Sequence, residues 1–188
     1  MNVIEAIEAR RSCRTFAEKQ LSKETVKELL RLGTLAPSGS HMEPWGFVVI
    51  QDPEEIEKLG QEAKNYALYH LAEYPHLQQY EKSYANPKTD IFFGAPTLIL
   101  AYGDTNSHFW AIDPSLALEN ITLAALEMGI GSCFVSNSEP FCATRELKDR
   151  YHVPGEYAFV TSLIMGYMER PAAHPAKRKE AKIFNEGI

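Results

Sequence analysis

The chain is poor in cysteine, has no long unbroken apolar run and carries no excess of positive charge, and each shortage removes a class of function. Its three cysteines, Cys13, Cys133 and Cys142, are an odd number with no Cys-x-x-Cys pair. They suit neither a disulfide framework nor a zinc or iron–sulfur site, and are expected to be small reduced fillers. No two of the six histidines stand at metal-ligand spacing, and no His/Cys/Asp set suggests a nucleophilic triad, so no metal site is expected. The longest mainly apolar stretch, Ile91–Tyr102, is broken by Gly94 and Pro96 and is too short to cross a bilayer. Glu5 and Glu8 interrupt the N-terminal stretch, unlike a secretory leader, and a soluble cytoplasmic protein is the expectation. A net charge of -6 argues against a nucleic-acid or anionic-membrane surface, so neither partner is expected. No Gly-x-Gly-x-x-Gly follows a strand, which speaks against a nicotinamide-binding Rossmann domain.

What is present reads as one domain over residues 1–188 with an arm at its end. Val3, Ile4 and Ile7 share a face of an opening helix that runs to about Arg10. Ser22 caps a second helix carrying Val26, Leu29, Leu30 and Gly33 at helical spacing. Gly46–Ile50 reads as a buried strand, and Asp52-Pro53-Glu54-Glu55 as a helix start. Thr97–Tyr102, Ser132–Ser136 and about Tyr157–Gly166 read as further strands. Asp113-Pro114 opens a helix apolar on most faces, which suggests burial in the core or between subunits, and Gly129-Ile130-Gly131 ends it. The Tyr66–Lys88 segment reads as a helix followed by a mobile or partner-covered excursion. The tail from Glu169 to Ile188 has too few apolar residues to pack by itself and is either disordered or wrapped on a neighbour. Helices alternate with about four strands but without a βαβ rhythm, so the class is α+β.

Two segments could carry chemistry. Arg10, Arg11 and Arg14 with Ser12 between them supply guanidinium forks and a hydroxyl, which a phosphate monoester wants. The same arginines could instead offset the negative end of the first helix. Pro37, Ser38, Gly39, Ser40 and His41 form a small polar loop ahead of Pro44-Trp45, either a ligand cradle or a plain turn. Trp45 reads as core, and Lys177-Arg178-Lys179 as a solvated tail. Any redox chemistry needs a borrowed organic cofactor.

Taken in order, these segments resemble the nitroreductase family of FMN enzymes. Arg10-Arg11-Ser12-Cys13-Arg14-Thr15-Phe16 resembles its Arg-Arg-Ser-x-Arg-x-Phe start. Ala36–Trp45 resembles its Ala-Pro-Ser-x-x-Asn-x-Gln-Pro-Trp loop. Gly129–Cys133, Gly166-Tyr167 and the basic tail match by position. The resemblance implies a mixed, mainly antiparallel sheet flanked by helices, in an intertwined homodimer whose arm at about 169–188 wraps the partner. It implies FMN at the subunit interface, with NADH or NADPH as donor and a small-molecule acceptor such as a nitroaromatic or quinone, reduced in a ping-pong sequence. Arg10, Ser12 and Arg14 then hold the phosphate and ribityl chain, with Lys177 or Arg178 closing over the phosphate and Arg11 also counted with the cofactor-binding residues. Ser38 and Ser40 come from the other subunit, with Pro37, Gly39, His41 and Glu43 of the same loop also binding the cofactor, and the backbone at Val135 and Ser136 faces the ring. The protein itself supplies no catalytic residue, because the flavin carries the chemistry.

His41 and Glu43 stand where the family has Asn and Gln. An ionised Glu only accepts hydrogen bonds, which would disfavour an anionic reduced ring. These departures leave room for a non-catalytic flavin-binding or flavin-sensing protein. A third reading, a dimer binding some other phosphorylated metabolite through the same arginines, sets the family aside.

Overall fold

The computed structural model describes residues 1–170 and 178–184. Four strands form one antiparallel sheet in the order β1-β2-β4-β3, with β1 at Trp45–Ile50, β2 at Thr97–Asp104, β3 at Ile130–Phe134 and β4 at Tyr157–Tyr167. Helices α1 (Val3–Ala9), α2 (Lys23–Gly33) and α5 (Ile112–Glu127) belong to one layer. Helices α3 (Pro53–Tyr69), α4 (Glu81–Tyr84), α6 (Glu139–Cys142) and α7 (Arg145–Arg150) make up the other. The sheet is therefore covered on both faces. That is why β2 reads as an unbroken apolar run and not as an alternation.

Each face has its own core. Leu98, Leu100 and Tyr102 of β2 pack with Ile56, Leu59, Phe92 and Phe141. Ile99 and Ala101 point the other way, onto Leu29, Leu118 and Ile121. The register of β2 against β4 shifts between Ala101 and Tyr102, which pair with Thr161 and Phe159 and leave Val160 as an extra residue. Because side chains alternate with period two, the bulge lets both Phe159 and Ile164 face the first core.

The helix starts follow their caps. Asn2 and Glu5 form a capping box on α1, Ser22 caps α2, and Asp52 with Pro53 begins α3. One boundary needs correction. Gly129, with φ of 70°, closes α5 alone, while Ile130 and Gly131 already belong to β3, which starts two residues earlier than expected and ends at Phe134. Beyond α3, the Tyr66–Lys88 segment is a series of 3-10 turns plus the short α4, with Leu77 and Tyr84 buried. Among the described residues no helix is long and apolar enough to cross a membrane, and no cluster of His, Cys, Asp or Glu could hold a metal ion.

Several weak acids are sealed into the first core. Burial pushes the Cys142 thiol up to about 12, partly countered by a hydrogen bond with Ser138, so it is no nucleophile at neutral pH. Burial, helped by Tyr80, pushes Tyr84 up to about 12, and burial also raises Tyr102 and Tyr151. Groups raised in the fold lend their full stability below their unfolded values of 9.0 and 10.0 and lose it as pH climbs toward 12. From neutral pH the thermal midpoint should therefore be flat to about pH 8.5 and fall above it, each ionising group contributing up to about 1.4 kcal/mol per pH unit. A midpoint unchanged well above pH 10, followed by calorimetry, would contradict this account of the core.

Candidate functional site

Helix α1 ends because Arg10 leaves helical geometry, at φ of -55° and ψ of 129°, while its N–H still donates to the Ala6 carbonyl. The chain then runs extended beside β3. Ser12 bridges to Ser132, the Cys13 N–H donates to the Ser132 carbonyl at 2.9 Å, and Phe16 bridges to Met168. In an extended segment alternate residues share a face. Cys13 is buried against the sheet while Ser12 and Arg14 are exposed, so Arg10, Ser12 and Arg14 line one side and Arg11 the other. The lane exists because residue 131 is glycine: a Cβ there would lie 2.6 Å from Cys13 Cβ and 2.7 Å from its Sγ.

Arg14 opens into a cleft of about 290 Å³. Val135 to Asn137, just after β3, form one wall, and Phe134, Phe93 and Tyr80 add aromatic surface. The Arg14 guanidinium lies 5.6 Å from the centre of the Phe93 ring. A ring face attracts the cation without using its N–H donors. Val135 is fixed from behind: its N–H donates to the Ser162 carbonyl, and its own carbonyl accepts from the Ser162 and Ser138 hydroxyls. Both serines are fully buried, and they are polar residues the sequence reading passed over.

The arginine run is short of negative partners. Arg10 has only a 3.7 Å contact with Glu119, and Arg11 turns one nitrogen onto the carbonyl of Arg10. The buried Arg11 Nε has no partner, and Arg14 makes no hydrogen bond or ion pair among the described residues. An unpaired buried donor on a charged group is costly, and an anion would satisfy it. The helix-end alternative is weakened, because the seven-residue α1 has no basic residue in its last turn. Two other clefts suit an anion less. One of about 470 Å³ is lined by Glu18, Glu57 and Asp90 against a single Lys88, and one of about 260 Å³ is mainly aromatic and apolar, beside β1.

The polar loop is built with strain. Ser40, His41 and Glu43 have φ of 54°, 52° and 47°, a left-handed conformation that each non-glycine residue adopts at a cost of about 1 kcal/mol or more. Three contacts enforce it. The Gly39 N–H donates to the buried Asp113 carboxylate at 3.0 Å, and the Glu43 N–H donates to Ser38 Oγ at 2.7 Å. Gly39 also sits so close to Phe109 that a Cβ would lie 2.1 Å from the ring. Pro37, Ser40, His41 and Glu43 are exposed. The loop rests at the start of α5 and is not among the walls of the Arg14 cleft.

The structure thus joins Arg14 to Val135 and Ser136, and leaves residues 37–43 outside their cleft. Arg178 is exposed, and Lys177 lies outside the described residues, as does most of the arm. Phe93, Asn137, Ser138, Ser162 and Asp113 were missed. Only the serine in the apolar β4 run and the Asp-Pro helix start gave any sign of a placed polar group.

A sheet covered on both faces, with arginines short of negative partners beside an aromatic cleft, makes this an α+β fold with a candidate anion-binding site. The chain belongs to the nitroreductase family, whose model matches residues 7–167. A Methanothermobacter thermautotrophicus protein, provisionally named an NADH dehydrogenase/NAD(P)H nitroreductase, is 25% identical over 182 residues, covering 95% of this chain and 82% of that one. Iodotyrosine deiodinase 1 of Homo sapiens is 29% identical over 189 residues, covering 93% of this chain and 64% of that protein. The crystal structure of a Bacteroides fragilis nitroreductase with bound FMN has a TM-score of 0.78 and 26% identity, over 100% of this chain and 97% of that one.

Proposed function

We propose that the chain is an FMN-dependent oxidoreductase that takes reducing equivalents from NADH or NADPH and passes them to a nitroaromatic, quinone or related acceptor. The observation that carries this is Arg14, without a hydrogen bond or ion pair among the described residues, facing Val135–Asn137 across the aromatic cleft. FMN in the Bacteroides fragilis relative and the nicotinamide donor in the archaeal relative's name support it.

When bound, FMN supplies the hydride and electron transfer. The chain's residues bind and orient it. Arg10 and Ser12, on one side of the extended segment, serve the phosphate, with Lys177 or Arg178 closing over it. Arg14, grouped with Val135 and Ser136, serves the ring end, which refines the expectation that it grips the phosphate. The homodimer is part of the proposal. Val3, Ile4 and Ile7 of α1 and Ile112 and Leu116 of α5 are largely exposed apolar side chains on two helices packed together. The strained loop at Pro37–Glu43, unused by its own cleft, would serve the partner's.

Purified protein should be yellow and bleach with dithionite, and should oxidise NADH or NADPH when menadione is supplied. Colourless protein that takes up no added FMN would sink the proposal. Bound flavin without turnover would instead favour the sensing reading.

A further inference from the structure

Lys64 is an internal cation. It is 2% exposed and has no carboxylate partner among the described residues. Its Nζ donates instead to the carbonyls of Asn86 at 2.9 Å and Thr89 at 2.8 Å, with Pro87 at 3.5 Å. A buried ammonium is costly unless its three donors are satisfied, so the 86–89 backbone must curl around it. Gly60, one helical turn earlier on the same face of α3, lets Asp90 and Phe92 pack close. Asp90 continues the turn, its carboxylate accepting from the Phe92 N–H at 2.8 Å and from the Gly94 N–H at 2.5 Å. Between those two amides Phe93 is forced to φ of 58° and turned outward, its ring against Arg14. A phenylalanine in that conformation is uncommon and has to be held there.

We propose that Lys64 is a positioning residue. It organises the 86–94 turn that delivers Phe93 to the Arg14 cleft, and Phe93 in turn decides which flat ligands the cleft admits. The turn has no helix or strand of its own; besides these clasps it holds short-range backbone hydrogen bonds, and Ile91 and Phe92 anchor it in the first core. The ring forms one wall of the cleft and also occupies the face of Arg14, so displacing it changes both width and charge. The specificity role rests on reading the cleft as a flavin site, whereas the clasp does not.

Two measurements keep these apart. Phe93→4-fluorophenylalanine in the full chain gives a 19F signal that reports the ring's surroundings with or without cofactor. Adding Lys64→Met should shift or broaden that signal at temperatures where circular dichroism shows the fold intact. If Lys64→Met does not fold, Lys64→Gln, which keeps one amide donor, carries the same test. A signal unchanged beside a merely lowered melting point would reduce Lys64 to a stability residue and overturn the proposal.

The second measurement is a double-mutant cycle on menadione reduction. Lys64→Met should raise KM about tenfold with kcat changed less than about threefold. Phe93→Leu should do the same, and the double variant should be no worse than Phe93→Leu alone. Fully additive losses would show that Lys64 does not act through Phe93. A wild-type protein unable to bind FMN would defeat the flavin reading, and the 19F result would still decide the clasp.

Discussion

An Arg14→Ala chain is expected to fold as the parent does and to lose its flavin on dialysis, with FMN affinity lowered by about two orders of magnitude. Arg14 is exposed and makes no hydrogen bond or ion pair within the described residues, and its one marked contact is the Phe93 ring. Removing it therefore costs the fold little. The loss falls on binding, since a guanidinium contributes charge and several donors in one plane, and alanine contributes neither. Arg14→Lys restores the charge without the fork and should fall between the two. Fluorescence titration of apoprotein with FMN measures the effect. Retention of flavin by Arg14→Ala would place the grip elsewhere.

Gly131→Val is expected to lose flavin as well, by a different route. A Cβ alone would intrude on Cys13, and it would also sit 2.7 Å from the Met168 side chain. The valine methyls enlarge that conflict, so the Ser12–Arg14 backbone must move off β3. Overpacking of this kind costs about 1–3 kcal/mol of stability, which a domain of this size survives. The displaced arginine does not survive it functionally. Cys13→Gly should make room and recover part of the binding when combined with Gly131→Val, as measured by the same titration. No recovery would mean that the valine acts on something other than the arginine lane.

Much of the sheet was legible because β2 and β4 are apolar over their length and bounded by turn residues. Caps at Ser22 and Asp52 made α2 and α3 readable too, since a cap is a local device, whereas α1 was legible from its apolar spacing and its Asn2 cap was not. The boundary at Gly129–Gly131 was not. A glycine ending a helix and a glycine making room for a neighbouring strand look alike until residue 13 is known to lie on residue 131.

The site was half legible for a similar reason. The arginine run was visible, but which of its members share a face depended on its extended path beside β3. Lys64 gave no signal in the sequence and Asp113 showed only as a helix start, because their partners are 22 and 25 residues away for one and 74 for the other. The 70–94 excursion resisted reading because 3-10 turns impose no hydrophobic period. Its shape comes from clasps that no spacing rule encodes.

The cleft has one more property, visible in the distances along the chain between its walls. Arg14, Tyr80, Phe93 and Val135 come from segments far apart in sequence, and all three cysteines of the protein are free. A cofactor seated among these walls would tie them together as a covalent staple does in a secreted domain, but reversibly. Its stabilisation would follow mass action, about 2.7 kcal/mol at a hundredfold excess over Kd. The supply of the cofactor would then help set how long each copy of the protein lasts.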